Sequence, residues 1–486
     1  MSSPPLASGP QGPHALRPLL ETVLDALAEG RQARGGPLPA GGPQAVAARV
    51  RATVGDALPH KGDPDALRHL VRMLAEGAAD PADPLCAAHL HCPPLAVATA
   101  ADLAASALNP SLDSWDQAPA ASELEALVTD ALAAEIYSGT RASDRAPSAV
   151  DTGNSAPETN EPHKSNEPHK STALVTTGGT ESNQLALLLA REAHSGTRLV
   201  CGANAHHSLT RAAWLLGLPE PVVVPAPAGT LDPAALDEAL TELPGPRGSL
   251  VVAATAGTTD AGLIDPLTDI ADLCAAHGAR LHIDAAYGGG LLFSERHHHR
   301  LHGIERAHTV TLDLHKLGWQ PAAAGLLAVR DPHELRALHH HADYLNADDD
   351  TEAGLPDLLG RSPRTTRRPD ILKIAVTLKT LGRDGLGALV DQVCAHAQEL
   401  ARLIQAHPGF ELYDPPTIST VLFRPAEASD DTVAAIRRTL LTEGRAVLGR
   451  AALDGQLWLK ATLLNPHTRP GDLAALLKLV EGHTPR

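Results

Sequence analysis

The pair of stretches His282-Ile283-Asp284-Ala285-Ala286-Tyr287 and Asp313-Leu314-His315-Lys316 decides how this chain folds. Each follows a short apolar run, 280–283 in the first case and 309–312 in the second. Similar runs fall at 173–176, 199–201, 221–224, 250–255 and 324–329, with helical patterns such as 181–193 and 266–277 between several of them. Continuous β-branched runs that alternate with helices predict a mostly parallel, seven-stranded sheet covered on both faces, hence an α/β fold. In such sheets ligands gather beyond the carboxyl ends of the strands, which is where Asp284 and Lys316 fall.

The rest of the chain is read outward from that sheet. Residues 1–60 mix short helical patterns with Gly/Pro breaks, and 65–137 are rich in helix. Ser122, with Glu125 three residues on, reads as the N-cap of a helix running to Tyr137. Residues 138–171 change character and carry the direct repeat Asn-Glu-Pro-His-Lys-Ser; so polar a segment is expected to be a disordered insertion. Beyond 330 a long helix (370–381 and on to 404) leads to a smaller α+β unit with strands near 417–423 and 456–464. The expected division is an N-terminal helical arm (1–110), a large domain (111–370) and a small C-terminal domain (371–486).

Composition narrows the function. With 40 basic against 57 acidic residues and a net charge of −17, the chain lacks the basic surface that binds nucleic acid. No run of 18 apolar residues predicts a membrane span, and the Pro/Gly-rich start lacks the apolar core of a signal peptide. Five scattered cysteines suit reduced thiols and a cytoplasmic setting. No metal site is expected: His89, His91 and Cys92 lack a second cluster at ligand spacing, and His297-His298-His299 reads as a solvated loop.

Four further features carry chemistry. Thr177-Gly178-Gly179-Thr180-Glu181-Ser182-Asn183 lies between a strand and a helix; its glycines admit close backbone approach, and Thr180 or Ser182 can cap a helix N-terminus that attracts phosphate. The plainer alternative is a tight turn. Thr258, in Ala256-Gly257-Thr258-Thr259-Asp260, closes another strand and can bond a ring substituent, or simply shape a turn. His206 can lie flat on a planar cofactor or act as an acid/base, although a single His among 26 is often structural. Asp284 with Lys316 is what a protein needs to use pyridoxal phosphate as an electron sink. The carboxylate keeps the pyridine nitrogen protonated, and the amine carries the aldehyde as a Schiff base.

Taken in order, these motifs resemble those of the group II pyridoxal-phosphate-dependent amino-acid decarboxylases, over roughly 80–486 outside the insertion. The stretches 109–117, 365–373 and 460–466 are similar as well, and the wording is nearest the diaminobutyrate, lysine and ornithine branch. The resemblance implies an aspartate-aminotransferase-like fold (fold type I) and a homodimer whose N-terminal arm wraps the partner. It implies pyridoxal 5'-phosphate bound by Lys316, with Asp284 on the pyridinium nitrogen and His206 and Ala286 on the two ring faces. Gly179 and Thr180 would bind the phosphate, Thr258 would sit near the ring's polar substituents, and His315 precedes the lysine as in the family. His89, His91 and Trp115 are candidates for substrate contact. The implied reaction takes an L-amino acid to its amine and CO₂.

One departure stands out. In some members a mobile loop supplies a Tyr thought to assist protonation of Cα, and 348–364 here contains neither Tyr nor Phe. Decarboxylation coupled to oxidative deamination, and a catalytically inactive scaffold of the same fold, are the alternative readings. The acidic run 348–352 can attract a cationic substrate or be a solvated loop.

Overall fold

The seven β-branched runs pair as strands of one sheet in a computed structural model that describes residues 4–138, 171–243 and 245–484. In chain order the strands are β1 (Cys86–Ala87), β2 (Thr172–Thr176), β3 (Arg198–Gly202), β4 (Val222–Val224), β5 (Leu250–Thr255) and β6 (Arg280–Ala285). They continue with β7 (Thr309–Asp313), β8 (Gly325–Val329), β9 (Phe410–Leu412), β10 (Thr420–Pro425), β11 (Val447–Leu453) and β12 (Gln456–Thr462). The large sheet has the order β2-β8-β7-β6-β5-β3-β4 and only β8 runs against the rest. The register sets Thr255 beside Asp284 and Asp284 beside Thr311, so three polar side chains share one row near the carboxyl edge. The expected insertion lies, apart from Ser138 and Ser171, outside the described residues.

Both faces of the sheet are covered because its strands are apolar on both. Val251 and Ala253 pack with Leu187 and Ala190 of the helix Gly179–Ala193 and with Leu209 and Ala212 of the helix His207–Leu215. Val252 and Ala254 join the opposite layer, with Ile270 of the helix Leu267–His277 and Leu132 and Ala133 of the helix Pro119–Tyr137. That last helix begins earlier than Ser122, at Pro119, whose ring suits the first helical position. Glu125 therefore does not serve a capping box; its carboxylate accepts from Arg367 Nη1 at 2.8 and 3.0 Å, a buried pair.

The stretch 365–373, similar to the family's, forms a joint between the large sheet's helices and the long helix that follows. Arg367 grips Glu125, and the fully buried Lys373 lies 3.0 Å from both Asp102 and Asp370. Burying an ammonium demands such partners. The helix Ile371–Gln405 that starts here is broken at Gly382 (φ +64), a left-handed conformation that a side chain would strain.

The small sheet has the order β1-β11-β12-β10-β9, antiparallel except where β1 pairs parallel with β11. The N-terminal segment thus contributes a strand to the C-terminal unit. Before it stand three helices, Gly12–Arg34, Gly42–Val54 and Ala66–Gly77. The first and third touch so closely at Gly30 that a Cβ there would lie 2.5 Å from the Arg72 carbonyl oxygen.

Candidate active site

The site begins where β2 gives way to a helix. Gly178, at φ +153, is the N-cap of Gly179–Ala193, and a Cβ on it would meet His315 Cε1 at 3.0 Å and Asp313 Oδ1 at 3.7 Å. A Cβ on Gly179 would meet Ala286 Cβ at 3.0 Å and Asp313 Oδ2 at 3.2 Å. Only glycines let the turn come this close, and the helix N-terminus then presents unpaired backbone N–H groups to an anion. Thr177 braces the turn by donating from its backbone N–H and its hydroxyl to Glu181 (2.6 and 2.8 Å), which in turn accepts from Arg364 at 2.9 Å.

Across the cleft stand the carboxyl ends of the parallel strands. A cavity of about 490 Å³ opens there, lined by Thr177–Thr180, Asn183 and His206 on one side and by Asp284, Ala286, His315 and Lys316 on another. Thr255, Gly257 and Thr259 line it from β5 and its turn, and His89, Leu90 and Lys460 close the remaining side. Lys316 Nζ lies 2.9 Å from Asp313 Oδ2; this Asp313 side chain is almost wholly buried, and its Oδ1 has no hydrogen-bond partner. His315 Nε2 is 3.5 Å from the same carboxylate, and burial lowers the pKa of its imidazole. Asp284 is buried, its Oδ1 accepting from Ala286 N–H at 3.1 Å and its Oδ2 from Asn183 Nδ2 at 2.8 Å. Burial also lowers the pKa of His206, against the opposing pull of the Asp284 carboxylate, so the ring is neutral near pH 7.

The rim carries charge of the other sign. Lys460 donates to the Thr259 carbonyl at 2.9 Å, and burial lowers its pKa while Asp260 opposes that. His89 is likewise lowered, by burial first and by the nearby cations Lys460 and Arg437 next. Tyr287 lines the cavity too, but its hydroxyl is held by Ser419 and Thr420 at 2.9 Å and burial pushes its pKa up to about 12.

Of the residues expected at the site, Lys316, Asp284, His206, Gly179, Thr180, Ala286, His315 and His89 do converge on this cavity. Thr180 and Ser182 do not cap their helix: Gly178 is the N-cap, and Ser182 is buried against Thr176 (2.8 Å) and the Leu326 carbonyl (3.1 Å). Thr258 departs from expectation. Its hydroxyl accepts from Leu263 N–H at 3.0 Å inside the turn, and it lines a separate hollow of about 220 Å³. Its neighbours Gly257 and Thr259 are the residues of that turn that line the cavity. Trp115 and His91 do not line the cavity; Trp115 sits on a short 3₁₀ turn, 40% exposed. The acidic run forms a short exposed helix, Asp348–Glu352, and Tyr344 just before it is also exposed. Cys92 donates to the His315 carbonyl, a structural use of its thiol. Among the described residues no cluster of three or more His, Cys, Asp or Glu forms a metal site, and no helix is long and apolar enough to cross a membrane.

Sequence reading gave no role to Asn183, Ser208, Asp313 or Lys460. Asn183 and Asp313 sat inside motifs already singled out and Lys460 headed another, so the signal was position within those motifs. Ser208 lies two residues after His206 in the stretch quoted for that histidine, but its part is visible only in the hydrogen bonds.

The cleft suits pyridoxal phosphate: a glycine turn at a helix N-terminus for an anion, a buried carboxylate, an amine, and an imidazole lining one cavity. The comparisons with known proteins agree. The profile of the pyridoxal-dependent decarboxylase conserved domain matches residues 49–426. An L-2,4-diaminobutyrate decarboxylase of Rhizobium meliloti (strain 1021) is 40% identical over 435 residues, 87% of this chain and 82% of its own. One of the same description from Acinetobacter baumannii is 30% identical over 86% of this chain and 83% of its own. Among solved structures, the glutamate decarboxylase domain of a diaminobutyrate-pyruvate transaminase and L-2,4-diaminobutyrate decarboxylase from Vibrio parahaemolyticus superposes with a TM-score of 0.81 at 30% identity, covering 99% of this chain and 97% of that one.

Proposed function

We propose that this chain, which belongs to the pyridoxal-dependent decarboxylase family and releases CO₂ from an amino acid with pyridoxal phosphate as its cofactor, takes L-2,4-diaminobutyrate as substrate. The product would be 1,3-diaminopropane. The observation that carries the substrate is the 40% identity, over 87% of the chain, with a diaminobutyrate decarboxylase.

The residue roles rest on the convergence of Lys316, Asp284, His206 and the glycine turn on one cavity. When bound, pyridoxal phosphate supplies an electron sink for the pair left on Cα as CO₂ departs. Lys316 is the amine that holds the aldehyde, and Asp313 is its partner at 2.9 Å whenever that amine is free. Asp284, kept in place by Asn183 and Ala286 N–H, is the carboxylate that holds a proton on the ring nitrogen. Acting in a buried site, such a preorganised charge is a main source of rate. Gly178, Gly179 and Thr180 receive the phosphate, and Ala286 and His206 bound the ring. For the proton that replaces CO₂, Lys316, which holds the aldehyde, and His206, which bounds the ring, are the proposed donors, since 348–364 holds no Tyr and Tyr287 is tied to Ser419 and Thr420.

A homodimer and a cytoplasmic location belong to the same proposal. Two of the arm's helices, Gly42–Val54 and Ala66–Gly77, bury no residue, and Leu70 and Leu74 on the second are exposed, which supports a covering partner. All five cysteines are free, as a reducing compartment requires. The deciding experiment measures CO₂ and H₂O₂ from cofactor-loaded protein across diaminobutyrate, ornithine, lysine, glutamate, valine and the aromatic amino acids. CO₂ without peroxide, fastest for diaminobutyrate, is expected. Peroxide with CO₂ would move the reaction to oxidative deamination, and faster turnover of another amino acid would overturn the substrate.

A further inference from the structure

Behind the cavity wall lies a residue that the roles above leave unused. The carboxamide of Asn183, wholly buried, has two N–H donors and an oxygen that accepts twice, and all four capacities are filled. Nδ2 donates to Asp284 Oδ2 at 2.8 Å and to Ser208 Oγ at 2.9 Å. Oδ1 accepts from Thr311 Oγ1 at 2.8 Å and pairs with His282 Nε2 at 3.0 Å. The amide cannot be turned over. Reversed, its oxygen would face the Asp284 carboxylate at hydrogen-bond distance, two acceptors with no proton between them.

That orientation sets the direction of every bond beyond it. Asn183 Oδ1 only accepts, so His282 Nε2 carries a proton, and its Nδ1 accepts from Thr309 Oγ1 at 2.9 Å. This describes a neutral imidazole, in keeping with the lowering of the His282 pKa by complete burial. On the other side, Ser208 Oγ accepts from Asn183 and is left to donate its own proton to His206 Nδ1 at 2.8 Å. The Ser208 backbone N–H, which can only donate, points at the same Nδ1 at 3.3 Å. His206 Nδ1 is therefore bare, and the ring proton resides on Nε2, the nitrogen away from Ser208.

We propose that Asn183 is the positioning residue of this site: one carboxamide holds the Asp284 carboxylate in place and, through Ser208, sets His206 as the tautomer protonated on Nε2. This rests on the roles assigned above to Asp284 and His206, and it joins them: the group beneath the ring nitrogen and the group beside the ring share one donor. The groups facing His206 include Asp284, His207, Lys316 and Asp313, with the His207 ring centroid 4.1 Å from its own, and the contacts at Nδ1 itself are those with Ser208.

The test begins in cofactor-free protein. Ring-nitrogen NMR of ¹⁵N-histidine-labelled protein, with His206 identified by its loss in His206→Gln, reads the tautomer directly. Wild type should show the Nε2–H form in at least about tenfold excess, the ratio enforced by one hydrogen bond of ordinary strength. Ser208→Ala should shrink that excess several-fold, as should the isosteric Asn183→Asp, whose acceptor oxygen would draw the Ser208 proton away. Unchanged tautomers in both variants would overturn the link to His206. Circular dichroism checks folding; should Asn183→Asp fail to fold, Ser208→Ala decides the His206 half and Asn183→Ser, read by the same cofactor affinity and spectrum, decides the Asp284 half. For the Asp284 half, Asn183→Asp should bind pyridoxal phosphate about tenfold more weakly and shift its visible absorbance as pH is varied. Unchanged affinity and spectrum would overturn that half. Should wild type bind no pyridoxal phosphate, the functional reading would fail while the tautomer result still stood or fell by itself.

Discussion

The carboxyl edge of the large sheet and the N-terminal helices draw on the same Ala- and Leu-rich composition, yet they bury it to opposite degrees. All six residues of β6 are buried, and the cavity residues stand on that rigid floor. The helix Ala66–Gly77 buries none of its twelve, and Gly12–Arg34 buries only Gly12, Ala26 and Gly30. Leucines in the sheet contribute their transfer free energy within one chain, about 25 cal/mol per Å² removed from water. Several of the arm's leucines, Leu24 and Leu74 among them, leave most of that contribution unused within the chain. The sheet end is where chemistry can be held to fractions of an ångström; the arm is where the proposed dimer would bury its apolar surface.

Substitution should separate the two regions sharply. Lys316→Ala is expected to lower turnover by roughly 10³-fold or more and to abolish the covalent cofactor absorbance, measured as CO₂ release and by spectroscopy. Residual turnover at the wild-type rate would remove Lys316 from the mechanism. Asp284→Ala should follow, with kcat down roughly 10²- to 10³-fold while the cofactor still binds. Next comes Leu281→Ala in β6, buried at 2% exposure, which should cost about 2–5 kcal/mol of unfolding free energy in denaturant titrations. Leu74→Ala in the arm, 68% exposed, should leave the unfolding of a single chain within about 0.5 kcal/mol. Its effect should be seen in sedimentation, as a weaker dimer. Equal costs at both positions would erase the contrast.

A graded effect concerns pH. Burial lowers the pKa of His308, at the foot of β7, to about 4, with Arg280 and Arg330 adding to the shift. Unfolded, the imidazole titrates near its ordinary value of about 6.5. Between those values the unfolded chain binds a proton that the folded chain refuses, so stability falls as pH drops from about 6.5 towards 4 and is intact above that window. His308→Gln should flatten this slope by up to about 1.4 kcal/mol per pH unit, read from denaturant midpoints at several pH values. An unchanged slope would mean that His308 is not buried neutral.

How much of this was legible beforehand differs between strands and site. The large-sheet strands were bounded to within one or two residues because continuous apolar runs ended by Gly, Pro or polar residues leave little choice of period. Lys316 and Asp284 were legible from their place after such runs. For Thr258 the sequence left two readings, a turn or a ligand contact, and the bond from Leu263 N–H shows its part in the turn. Ser122 was misread because Pro119 already starts the helix and Arg367, from the far side of the sequence, claims Glu125.

The α/β architecture, the strand ends that carry Asp284 and Lys316, and the glycine turn before the helix Gly179–Ala193 can be read from the chain alone. These follow from local periodicity and from residue types whose backbone or chemical properties have few substitutes. Only the tertiary structure decided which side chain partners which: Asp313 with Lys316, Asn183 with both Asp284 and Ser208, Glu125 with Arg367. Such pairings join residues up to 242 positions apart. They are set by strand register and layer packing, and a one-dimensional pattern carries no record of them.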